Sequence, residues 1–288
     1  MTDFDSRSMV SALVFLVGFT SCQQLLDGAR AFEVGSRTLW LDCRGRGSPT
    51  VLLEAGHTEA SGTWSAIQED VASFTRVCSY DRAGRGQSPP APDMARTSDD
   101  VVADLRSLLS TAGEPPPFIL VGHSLGALFV RRYCAAEPAA VVGMALVDGV
   151  HEEEFERIDA LLTPEQRAAG AGLRPMSPEN FDIEAILKLA RDDAARPPAI
   201  PVVVIARGLP LMNEEFPPDW SAEQRAAREA LRLDLHQELA RRFPRGRLVV
   251  ASRSGHHVHH DEPELVVAEI RRLVETTRAS ALQGAHRG

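Results

Sequence analysis

Phe118-Ile119-Leu120-Val121-Gly122-His123-Ser124-Leu125-Gly126 is an apolar β-type run ending in a serine bracketed by glycines, and helix-forming residues follow it at once. Strand, sharp turn and helix in that order lift the Ser124 hydroxyl above the edge of a sheet. The two glycines are needed because a side chain at either place would strike the adjoining strand or helix. The start of the helix behind the serine offers unpaired N–H groups and positive dipole potential to a developing oxyanion. Ser124 is therefore the candidate nucleophile and the Leu125 amide a candidate oxyanion donor.

Outward from this segment, short β-branched runs alternate with longer helical ones. Strands are expected at 37–43, 50–55, 76–80, 118–121, 142–147, 200–206 and 247–251, with helices at 98–112 and 127–136. Several runs are almost continuous Val, Ile and Leu, as in parallel strands buried on both faces. The alternation predicts an α/β fold with a doubly wound, mostly parallel sheet. Two stretches break the rhythm. Residues 151–198 are charged and helix-prone, with Thr163-Pro164 and Ser177-Pro178 as helix starts, and are expected to form a helical cap over the site. Residues 209–243 read as a second charged helical insert.

A serine hydroxyl is a weak nucleophile until a base takes its proton. Ser254-Gly255-His256-His257-Val258-His259-His260-Asp261 follows the last strong strand, and His256 stands directly after the glycine that turns the chain. His256 is the candidate base. Four histidines in five positions also invite a metal reading, but metal sites want ligands converging from separate elements; no metal and no cofactor are expected. A second oxyanion donor should follow Val51-Leu52-Leu53-Glu54-Ala55-Gly56-His57, where a strand ends in a glycine and the His57 amide can turn toward the substrate oxygen. A plain strand-ending turn is the alternative.

The formal net charge is −9, with no Lys/Arg run, so nothing here would neutralise phosphates. Nucleic acid is not expected as a partner, nor is an anionic membrane surface; a small neutral substrate is. Residues 9–19, MVSALVFLVGF, are too short to span a bilayer but suit a signal-peptide core, and Phe19-Thr20-Ser21-Cys22 resembles a lipoprotein cleavage site. Export is expected, with Cys22 as a membrane tether. Against it stand Asp3, Asp5 and bulky Phe19; the alternative is an N-terminal helix on the domain and a cytoplasmic protein.

The segments 51–56, Arg76-Val77-Cys78-Ser79-Tyr80-Asp81-Arg82-Ala83-Gly84-Arg85-Gly86-Gln87-Ser88, 122–126, Leu146-Val147-Asp148 and Ser254-Gly255-His256 resemble the α/β-hydrolase superfamily. The likeness covers roughly 34–275 and is greatest to bacterial serine hydrolases with an EAG loop and a YDRAGxGxS segment. It implies an eight-stranded sheet with a core over 31–150 and 199–278, a cap over 151–198, and a separate N-terminal segment, 1–30. It also implies that Asp81 and Arg82 order the oxyanion loop. The strands carrying Cys43 and Cys78 become neighbours, so a disulfide is implied, with buried free thiols the alternative. The superfamily's commonest acid position follows the strand 200–206, where no carboxylate occurs until Glu214. Asp148, at the end of the preceding strand, is the candidate acid; Glu214 or Asp219 is the alternative. The reaction implied is hydrolysis of a carboxylic ester, or of an amide, through an acyl-enzyme, with activity rising between about pH 6 and 8 as the histidine loses its proton. A cofactor-free haloperoxidase, a carbon–carbon bond hydrolase and a non-catalytic binding module share these residues.

Overall fold

A strand that is apolar at every position needs cover on both faces, because successive side chains point to opposite sides of the sheet. The computed structural model describes residues 27–91, 95–169 and 179–285 and places eight strands in one sheet. They are β1 (Gly28–Val34), β2 (Arg37–Arg44), β3 (Thr50–Glu54), β4 (Val77–Asp81), β5 (Phe118–His123), β6 (Val141–Val147), β7 (Pro201–Arg207) and β8 (Arg245–Ala251), in spatial order β1-β2-β4-β3-β5-β6-β7-β8. The two pairings that involve β2 are antiparallel, and the others are parallel.

The helices are α1 (Ser65–Ala72), α2 (Ser98–Ala112), α3 (Gly126–Ala136), α4 (Glu154–Asp159), α5 (Pro164–Ala168), α6 (Ile183–Ala194), α7 (Ala222–Arg242), α8 (Val258–Asp261) and α9 (Pro263–Ala285). Alternation along β5 shows how they cover the sheet. Phe118 and Leu120 join Leu105 and Leu109 of α2, Val130 of α3 and Leu239 of α7 on one face. Ile119 and Val121 join Ile67 and Val71 of α1 and Val266, Ile270 and Val274 of α9 on the other. Burying one such side chain is worth about 1.5–3 kcal/mol, so these two layers hold the sheet rigid beneath the site.

The strand β1 went unread in the sequence because its run, GARAFEV, is mostly exposed and alternates weakly. It begins at Gly28, so the boundary at residue 30 falls inside the core, and α9 runs past 278 to Ala285. The 209–243 segment is not a second insert: α7 packs on β7 and β8 as the crossover that two parallel strands require. Thr163 caps α5 by accepting from the Gln166 amide, as Thr163-Pro164 foretold. Ser177-Pro178 and the export and tether readings at 9–22 lie outside the described residues. Cys43 and Cys78 face each other across β2 and β4 and are joined by a disulfide. Among the described residues no helix is long and apolar enough to cross a membrane.

Candidate active site

The turn after β5 is built by steric exclusion. A Cβ at Gly122 would lie 2.7 Å from the Gly126 carbonyl oxygen, and one at Gly126 would lie 2.5 Å from that of Ala55. With both glycines in place, β5, β3 and α3 meet closely enough to force Ser124 into the left-handed region, at φ 51°. A non-glycine residue there stores about 1–3 kcal/mol of strain. Three hydrogen bonds hold it: the Ser124 amide donates to Val147 O at 3.1 Å, and its carbonyl accepts from Ala127 at 3.1 Å and Val150 at 3.0 Å.

Ser124 Oγ lies 3.0 Å from His256 Nε2, and His256 Nδ1 lies 2.7 Å from Asp148 Oδ2. The three residues come from the turn after β5, the loop after β8 and the end of β6. Asp148 is 5% exposed. Its other oxygen accepts from the Arg207 amide at 3.1 Å and from the Arg232 guanidinium. Burial alone would favour the neutral acid, but the bond from His256 and the charges of His236 and Arg232 outweigh it and hold the carboxyl well below the usual range. His256 is lowered instead: partial burial and the neighbouring His123 oppose a second proton more strongly than Asp148 invites one. Its ring is thus neutral, with a free lone pair, at neutral pH.

The place beside His256 Nδ1 is held by Asp148. Of the alternatives, Glu214 belongs to the turn Asn213–Glu215, and the Asp219 carbonyl accepts from Gln166.

Arg82 shapes the loop after β3. Buried itself, it donates to Ala55 O and Gly56 O at 2.7 Å each, and pairs with Glu54 and Glu179. In a trans peptide the C=O and N–H point opposite ways. Pulling the Gly56 carbonyl toward Arg82 therefore turns the His57 amide away from Arg82. Among the described residues neither the His57 nor the Leu125 amide has a protein acceptor, and both residues line the cleft with Ser124. Asp81 fixes the neighbouring turns by accepting from the Ser61 and Gln87 amides, each at 2.8 Å.

A cleft of about 650 Å³ opens above Ser124. Its apolar wall comes from Phe155 and Ile158 of the 151–198 segment and from Leu209 and Leu211 after β7. Two packed clusters seat that segment: Ile186 and Leu187 of α6 on Leu125, Leu128 and Phe129, and Ile158 and Leu162 on Phe216 and Trp220. Glu179 ties it to the loop after β3 through Arg82 and the Thr58 amide.

Sequence reasoning missed Arg207 and Arg232, 59 and 84 residues along the chain from Asp148, and Glu179, 97 residues from Arg82. Glu59, which binds the Gly56 amide and His123, stands three residues past the EAG motif but has no local pattern of its own.

This chain is similar to an AB hydrolase superfamily protein of Gibberella zeae, 27% identical over 290 residues that cover 80% of this chain and 87% of the relative. Its fold is similar to that of a thermophilic esterase from Thermogutta terrifontis (20% identity, TM-score 0.60, 86% of this chain and 98% of that one). It is likewise similar to that of a haloalkane dehalogenase loop variant from Bradyrhizobium elkanii (18% identity, TM-score 0.61, 89% and 99%). The model of the Alpha/beta hydrolase family matches residues 13–269. With most of its length matched and an eight-stranded, mostly parallel sheet beneath the site, the chain belongs to the Alpha/beta hydrolase family.

Proposed function

We propose that this hydrolase cleaves a carboxylic ester of a small neutral molecule through an acyl-enzyme on Ser124. The observation that carries the reading is the line Ser124 Oγ, His256, Asp148, at 3.0 and 2.7 Å, beneath an open cleft. Ser124 Oγ attacks the ester carbonyl carbon while its proton passes to His256 Nε2. Asp148 holds the tautomer with Nε2 free and stabilises the imidazolium. The oxygen of the tetrahedral intermediate takes hydrogen bonds from the Leu125 and His57 amides, which have no other acceptor among the described residues. Collapse expels the alkoxide, which receives the proton from His256. Water, deprotonated by the same nitrogen, then attacks the acyl-enzyme and frees the acid and Ser124.

Serine at position 124 speaks against dehalogenation of the kind that needs an aspartate nucleophile. An amide would need the same proton delivered to a poorer leaving group, so esters are the better substrates. We also propose export, a compartment that suits the Cys43–Cys78 disulfide. The test is a p-nitrophenyl ester chain-length series on the wild type and Ser124→Ala (S124A). We expect turnover by the wild type that prefers one acyl length, and none above background by S124A. Equal turnover by both would remove Ser124 from the mechanism.

A further inference from the structure

The histidines after His256 converge with residues from other elements. His259 of α8 is fully buried beneath Trp64, with ring centres 4.5 Å apart. His123 closes β5, and Glu59 follows β3. Each of Glu59, His123 and His259 offers a ligand atom, and these atoms lie within 4.8 Å of one another. Among the described residues the other such group contains Cys43 and Cys78, whose sulfurs are already bonded to each other.

Two features set this cluster apart from a satisfied polar core. The first is orphaned hydrogen-bonding capacity. Thr63 Oγ1 lies 2.9 Å from His259 Nε2, 3.2 Å from His260 Nε2 and 3.4 Å from Glu59 Oε1. His259 Nδ1 is buried and, among the described residues, without a partner; buried polar atoms rarely stand so. The second is that both imidazoles are anchored by the far nitrogen, as metal-ligating histidines are. Nε2 of His259 is held by Thr63, and Nε2 of His123 donates to the His256 carbonyl at 3.0 Å. His123 Nδ1 faces Glu59 Oε2 at 2.8 Å.

We propose that Glu59, His123 and His259 form a binding site for a divalent transition ion of the zinc class. Two imidazoles and a carboxylate suit such an ion, which binds these atoms at about 2.0–2.2 Å and leaves a fourth place for water. Two ligands at tetrahedral or right angles about it stand roughly 3–3.4 Å apart, so binding spreads Glu59 and His123, now 2.8 Å apart, by a few tenths of an ångström and draws in the His259 atom, which lies within 4.8 Å of them. Binding replaces the proton between His123 Nδ1 and Glu59 and releases it to solvent. The exposed His257, 3.2 Å from Glu59 Oε1, stands at the entrance.

The full-length chain, stripped by a chelator, is titrated with Zn2+ by calorimetry and with Co2+ by visible absorption. One equivalent is expected to bind, with cobalt ligand-field bands and a raised melting temperature. His259→Ala (H259A) and Glu59→Gln (E59Q), checked for folding by circular dichroism, should each weaken binding at least tenfold. His257→Ala/His260→Ala (H257A/H260A) and S124A should retain it. No binding by the wild type overturns the proposal. So does binding that survives H259A and E59Q but disappears in H257A/H260A, which would be chelation by the exposed histidines alone.

Discussion

At the scale of single residues, the proposed reactivity rests on how three side chains share two protons. Asp148 is buried and kept ionised by His256, His236 and Arg232, and its bond to His256 Nδ1 points the other ring nitrogen at Ser124. Asp148→Asn (D148N) keeps the shape but favours the wrong tautomer. It should lower kcat by about 10⁴-fold in steady-state assays, while Glu214→Gln (E214Q) stays near wild type. The reverse outcome would move the acid. The pH profile of kcat/KM follows His256. Because burial and His123 lower its pKa, activity should reach half its plateau below pH 6.5, earlier than the 6-to-8 rise expected of an ordinary histidine. The meeting of Ser124 with His256 was legible because each sits in a short motif with its own turn chemistry. Arg232, 84 residues from Asp148 along the chain, was not. In sequence it is one arginine among many in an Ala/Arg/Leu-rich helix, and only the crossover packing of α7 brings it to the acid.

At the scale of elements, the site lies where strand ends meet turns that admit no side chain. The parallel strands were readable because burial on both faces leaves unbroken Val, Ile and Leu runs. The strand β1 was not, since an exposed antiparallel edge needs no such run. Charged helices looked like inserts wherever they were long, yet α7 is a crossover; its core contacts come from Leu235 and Leu239 amid polar neighbours. The proposed oxyanion loop depends on Arg82, whose fork grips two successive carbonyls. Lysine cannot span both, so Arg82→Lys (R82K) should lower kcat by about 10²–10³-fold with a smaller change in KM, as when an oxyanion donor is lost. Separate determination of kcat and KM checks this.

At the scale of the whole molecule, stability should depend on redox state and on pH. The Cys43–Cys78 bond closes a loop of 35 residues between β2 and β4, worth about 4 kcal/mol in the chain-entropy account. Denaturant melts of the Cys43→Ser/Cys78→Ser (C43S/C78S) variant should show a loss of that order. His151, 2% exposed, is brought down to about 4 by burial, with Glu152 pulling the other way and Arg242 and Arg131 adding to the fall. Its folded-state pKa lies below its unfolded value of 6.5, so its contribution is complete above pH 6.5 and is lost as pH falls toward 4. That contribution is worth about 3 kcal/mol. Melts across this range should show the decline, and His151→Gln (H151Q) should flatten it.

The central claim is that His256, arriving from the loop after β8, makes the Ser124 hydroxyl reactive. Covalent labelling by a fluorophosphonate, with the adduct located by peptide mass spectrometry, tests it most directly. The adduct is predicted on Ser124 in the wild type and should be absent or strongly slowed in His256→Ala (H256A). An unlabelled wild type, or labelling of Ser124 at the same rate without His256, would contradict the account.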